Sequence, residues 1–173
     1  MLINNIKCSK PSFAGTANSI YIFIDNSNVY VQEKKETAWR EPVNENLVQI
    51  DYSKLVETVQ DGQRMGAVPV VVGSRPPPED TLWTHLENKL GYCVAVYDQN
   101  FLNREKEVDS EVAVRICITV ADYVPGTIIL IAGDGDYGPV IRLALDKNWT
   151  IEVWFWTEGK VLIFYNRVIR VLC

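Results

Sequence analysis

Ile20-Tyr-Ile-Phe-Ile24 is an unbroken apolar run of β-branched and aromatic residues, and it stops abruptly at Asp25. A strand with one wet face alternates apolar and polar residues. A run that is apolar at every position fits instead a central strand buried on both faces, as in a parallel sheet covered by helices. Asp25 is followed by Asn26, Ser27 and Asn28, turn formers whose side chains carry oxygen. In open α/β sheets, ligands bind beyond the carboxyl ends of the central strands, near the point where strand order reverses. Asp25 is therefore a site candidate by position and by type, with a simple helix cap as the alternative.

The same arrangement recurs down the chain. Apolar runs at 68–72, 92–97, 127–131 and 150–156 predict four more strands. Between them, apolar spacing predicts helices over 51–65, 79–90, 108–123 and 137–147. Asp51 or Ser53 would cap the first of these and Gly66 would stop it. Gly73 is expected to end the second strand, and Pro76, Pro77 and Pro78 to form an extended connector. The charged stretch 103–107 reads as a loop, which puts Asp109 and Glu111 in the first turn of the next helix, where the dipole favours acids. Past Trp156 the pattern fits either a sixth strand or a short helix over 161–172.

Strands alternating with helices imply right-handed βαβ units. The expectation is one three-layer α/β/α domain over 19–173, built on a mostly parallel sheet of five strands, or six, behind an N-terminal tail or arm at 1–18. A long loop at 29–49 holds Lys34, Lys35, Trp39 and Arg40. It could contact phosphate and stack a base, or be a solvated charged loop.

At 173 residues the chain can bury a full core, and 47% hydrophobic with 23% charged residues is an ordinary soluble balance. No apolar segment approaches a membrane span, and the N-terminus has no continuous apolar signal region. Cys8, Cys93, Cys117 and Cys173 are far apart, and Cys93 and Cys117 sit in apolar runs as expected of buried thiols. The expectation is an intracellular protein, cytoplasmic or nuclear, and a homodimer is compatible with it. A net charge of −5 argues against a basic nucleic-acid coat but not against a nucleic-acid enzyme, whose acidic metal site carries negative charge itself. His85 is the one histidine, so two-histidine cleavage of RNA is excluded and a Ser-His-Asp triad would need His85 placed by chance. Chemistry here must rest on carboxylates.

The first predicted strand ends at Asp25; the fourth ends at Asp134, with Asp136 two residues on. Parallel strands of the same sense end at the same edge, so neighbouring first and fourth strands would bring Asp25 and Asp134 together. Asp109 precedes the fourth strand on its helix. Carboxylates crowded in one cleft raise each other's pKa unless a cation intervenes. Mg²⁺ and Mn²⁺ are hard ions that prefer such oxygen ligands, and they can position water for in-line attack on a phosphodiester. Gly133 and Gly135 would allow a tight turn and close approach of a substrate backbone. Gly-Asp-Gly-Asp also occurs in ordinary turns and calcium loops, so spacing alone leaves those readings open.

Ile22-Phe-Ile-Asp-Asn-Ser-Asn28, Gly73-Ser-Arg-Pro-Pro-Pro78, Arg104-Glu-Lys-Glu-Val-Asp109 and Ala132-Gly-Asp-Gly-Asp136 stand in the order seen in NYN domains. Over 19–157 the chain resembles that family, part of the PIN-like nuclease superfamily. The resemblance implies the strand order 3-2-1-4-5 and a metal-dependent endoribonuclease that hydrolyses RNA phosphodiester bonds, leaving 5′-phosphate ends. It implies Asp25, Asp109, Asp134 and Asp136 as catalytic ligands of one or two Mg²⁺ or Mn²⁺ ions, with Asn28 a polar partner near metal or substrate. Arg75, Arg104 and Lys106 are candidate phosphate contacts or ordinary surface charge. The expected substrate is single-stranded or looped RNA, whose bases and backbone are accessible. Two alternatives stand beside it: an RNA-binding or adaptor module of the same fold, and a receiver- or phosphatase-like domain. The latter is weakened because no Asp-x-Asp-x-Thr follows the first strand.

Overall fold

In the computed structural model, which describes residues 16–29, 50–74, 81–97, 104–133, 135–157 and 160–161, the apolar run becomes strand β1 (Ile20–Asp25), buried at all six positions. The side chains of 104–106, 156–157 and 160–161 are outside that description. β1 is flanked by β2 (Val70–Ser74) and β4 (Thr127–Ile131), with β3 (Cys93–Tyr97) and β5 (Thr150–Trp154) outermost. The sheet is parallel throughout, in the order β3-β2-β1-β4-β5. The order reverses at β1, so the crevice beyond its carboxyl end is the position where such sheets bind ligands.

Among the described residues, the sheet is covered by α1 (Tyr52–Gln60), α2 (Thr81–Asn88), α3 (Arg104–Asp122) and α4 (Gly138–Asp146). Successive side chains of a strand point to opposite faces, and β1 uses both. Ile20, Ile22 and Ile24 pack with Val56 and Val59 of α1 and with Trp83 and Leu86 of α2. Tyr21 and Phe23 pack with Val108, Val112 and Ile116 of α3 and with Val140 and Ala144 of α4. Full burial of an Ile or Phe side chain is worth about 1.5–3 kcal/mol, so β1 is held firmly from both sides. The same alternation carries Asp25 onto the α3–α4 face. Asn26 instead meets α1, where Tyr52 donates a hydrogen bond to its Oδ1.

The structure bears out the three-layer α/β/α class and strand order, and it moves several boundaries. α1 stops at Gln60 rather than at Gly66, because Asp61 and Gly62 both adopt left-handed backbone (φ 46° and 72°) and the Asp61 N–H closes on the Glu57 carbonyl. Gly66 serves a different end, its N–H donating to the Ile20 carbonyl. Gly73 does not terminate β2 but lies within it, opposite Val96. A Cβ there would stand 2.6 Å from Trp83 Cη2, so the position is glycine for packing. Past Trp156, Trp156–Thr157 and Lys160–Val161 form an antiparallel pair apart from the main sheet, and residues 162–172, where a sixth strand or a short helix was expected, lie outside the described residues.

α3 begins at Arg104, so the expected loop at 104–107 is helical and Asp109 is not in the first turn. The helix dipole falls off within a turn, so it does not account for Asp109. Cys117 is a free thiol, as expected, but Cys93 is disulfide-bonded to a partner outside the described residues. Cys93 is the first residue of the edge strand β3. Of the predicted tail, residues 1–15 lie outside the described residues, as do the loop over 30–49, the prolines at 76–78 and everything after 161. Among the described residues no helix is long and apolar enough to cross a membrane.

Candidate functional site

The carboxyl end of β1 delivers Asp25 into the α3–α4 layer almost without solvent exposure, at 1%. Residues 26–29 turn into helix directly after it, and the Asn28 backbone N–H donates to Asp25 Oδ1 at 3.0 Å. The capping reading of Asp25 is thus met by one oxygen, while the other is turned toward α3 and the segment leading into α4. Oδ2 accepts a hydrogen bond from the Tyr137 hydroxyl at 2.8 Å. That hydroxyl is also 3.2 Å from Asp109 Oδ1. Three elements thus converge: the end of β1, α3 through Asp109, and the 3₁₀ turn Gly135–Tyr137 that leads into α4.

Burial pushes the Asp25 carboxyl above the ordinary carboxylate range. Hydrogen bonds with the Asn28 N–H, the Tyr137 hydroxyl, the Asp109 carboxyl and the Ser27 N–H act the other way without cancelling it. Burial also drives the Tyr137 phenol far above its usual value, and the charges of Asp25 and Asp109 add to the effect. Tyr137 therefore keeps its proton and serves as a neutral donor. Two carboxyl groups within hydrogen-bonding reach of each other must share a proton or a cation. With oxygen donors only, the pair suits a hard divalent ion such as Mg²⁺ or Mn²⁺ rather than a thiophilic one.

Of the expected acidic residues, the structure brings Asp25 and Asp109 together. Asp136 lies on the exposed side of the 3₁₀ turn, next to buried Tyr137. Asp134 lies outside the described residues. Among the described residues no group of three or more His, Cys, Asp or Glu is arranged to hold a metal. Asn28 contributes its backbone N–H to Asp25, and its side chain is half-buried. Arg75 lies outside the described residues, and Arg104 and Lys106 are placed on α3 by their backbone alone. Arg115, one further cation on α3, is taken up by Glu111: its Nε donates to Oε1 at 2.7 Å, and Tyr97 donates to Oε2 at 2.9 Å.

Gly133 has a steric role that its spacing did not show. A Cβ at 133 would overlap the Phe155 ring, 1.5 Å from Cε2, so the chain leaving β4 passes directly against that ring. A Cβ at Gly135 would meet nothing within 4 Å among the described residues. Tyr137 is the site residue that sequence reasoning missed, because its apolar neighbours made it read as the first residue of a helix.

The family model described as NYN domain matches residues 19–163. No curated protein and no solved structure matches the chain.

Proposed function

Because this chain belongs to the NYN domain family and carries its PIN-like nuclease fold, we propose that it is a metal-dependent endoribonuclease acting on single-stranded or looped RNA. The observation that carries this reading is the meeting of Asp25 and Asp109, from distant parts of the chain, through one tyrosine hydroxyl at the switch point of the sheet. Asp25 and Asp109 would hold a Mg²⁺ or Mn²⁺ ion, with Asp134 and Asp136 as the further acidic residues of the set. When bound, such an ion supplies positive charge for a phosphodiester and lowers the pKa of water. Hydrolysis by water would leave 5′-phosphate and 3′-hydroxyl ends.

The chain's own residues supply the frame for this chemistry. β1, clamped between two helical layers, fixes the Asp25 backbone, and the Asn28 N–H fixes the rotation of its carboxyl group. Burial of both Asp25 and Tyr137 keeps water from competing for the carboxylate oxygens. Arg75, Arg104 and Lys106 are proposed to meet phosphates and Asn28 to lie near metal or substrate.

The test is cleavage of labelled unpaired and hairpin RNAs by wild-type protein and Asp109→Asn in Mn²⁺. We expect cleavage within unpaired segments that leaves 5′-phosphates and is lost in the variant. Undiminished cleavage by Asp109→Asn refutes the site; RNA binding without cleavage by the wild type points to the adaptor reading.

A further inference from the structure

The hydroxyl of Tyr137 is not explained by the packing of its ring. The ring sits with Phe23, Val108, Val112 and Leu130 in the core on the α3–α4 face, and the residue is 2% exposed. Phenylalanine would fill that volume equally well, while burying a hydroxyl carries a desolvation cost unless it is hydrogen-bonded. What the hydroxyl adds is a link from Asp25 Oδ2 at 2.8 Å to Asp109 Oδ1 at 3.2 Å. The link joins positions 112 and 28 residues away in the chain, on β1 and α3.

We propose that Tyr137 is a positioning residue for the divalent ion: its hydroxyl, donating its one proton to Asp25 Oδ2 with Asp109 Oδ1 as the weaker branch, holds the two carboxyl groups at a fixed separation and orientation, so that the ion meets a donor pair already in place. This rests on the nuclease reading above. Each carboxylate oxygen has two lone pairs. Asp25 accepts from the Asn28 N–H at Oδ1 and from Tyr137 at Oδ2, with a further bond from the Ser27 N–H; its contact with the Asp109 carboxyl is the one an ion between the two groups would replace. A neutral donor adds no negative charge of its own to the pair. It also keeps the two groups from separating as they give up their shared proton to the ion. Groups that orient metal ligands in this way typically contribute about 10–100-fold in metal affinity.

The test compares full-length wild type, Tyr137→Phe and Asp25→Asn. Mn²⁺ affinity is read by electron paramagnetic resonance of the free ion. RNA cleavage is followed as a function of Mn²⁺, and the melting temperature is measured in EDTA. We expect Mn²⁺ affinity in Tyr137→Phe to fall by about 10–100-fold, with cleavage recovering as Mn²⁺ is raised and the KM for RNA unchanged. A hydroxyl with a merely structural role would lower the melting temperature and leave Mn²⁺ affinity intact, and that result overturns the proposal. Should Tyr137→Phe fail to fold, 4-aminophenylalanine at 137 keeps both ring and donor, and near wild-type Mn²⁺ affinity is then expected. Weak binding by that folded variant overturns the proposal. Absence of Mn²⁺ binding by the wild type defeats the nuclease reading itself, an outcome distinct from the failure of Tyr137 alone.

Discussion

Replacing Gly73 with alanine would put a Cβ 2.6 Å from Trp83 Cη2 and 2.9 Å from the Cβ of Asn26. Against a contact limit of 3.4 Å, the new methyl is too close by about 0.8 Å on one side and 0.5 Å on the other. Neither neighbour can retreat into solvent, since Trp83 is 8% and Asn26 5% exposed. Overpacking of this kind costs about 1–3 kcal/mol. In a domain of this size each kcal/mol moves Tm by about 2–4 °C, so a cost near 2 kcal/mol lowers it by roughly 4–8 °C. Trp83→Phe removes the atom in closest conflict while leaving an aromatic ring. Each single variant should be destabilised, and the double variant should lose less than their sum by about 0.5–3 kcal/mol. Thermal and urea unfolding of the four proteins measure this cycle. A Gly73→Ala protein that melts with the wild type, or two effects that simply add, would refute the steric account of Gly73. Because Asn26 directly follows Asp25, the same strain should reduce Mn²⁺-dependent cleavage in Gly73→Ala, and Trp83→Phe should partly restore it.

Asp25→Asn should reveal a buried charge held at the expense of stability. The folded-state pKa of Asp25 is raised by burial, so below the unfolded value of about 3.9 it is protonated in both states. As pH rises from there through the raised folded-state value, the metal-free wild type should lose stability relative to Asp25→Asn. Urea midpoints in EDTA across that range measure the difference, and a constant gap would contradict it. Tyr52→Phe leaves the buried Asn26 Oδ1 without this donor and should cost about 1–3 kcal/mol in urea unfolding. Cleavage at saturating Mn²⁺ should survive that change, because Tyr52 packs on the face opposite Asp25; loss of cleavage in a folded variant would show that the two faces are coupled.

β1 was legible because burial on both faces leaves a strong trace, an apolar residue at every position from Ile20 to Ile24. Once that run is a strand, alternation alone sends Asp25 the way of Tyr21 and Phe23. The strand order, by contrast, came from the family resemblance, since periodicity does not say which strands are neighbours. Gly66 and Gly73 misled for a common reason: glycine signals a turn and a tight contact with the same letter. The start of α3 was missed because the charges at 104–107 were read as loop, whereas Arg, Glu and Lys are good helix formers. Tyr137 could not be assigned to the site from local pattern, since its role depends on partners 28 and 112 residues away.

The most direct measurement is anomalous diffraction from Mn²⁺-soaked crystals of the wild-type chain. The account predicts a manganese peak bound by carboxylate oxygens of both Asp25 and Asp109, with Tyr137 still hydrogen-bonded to Asp25. Manganese bound elsewhere, with the Asp25–Tyr137–Asp109 link intact and without an ion, would contradict it.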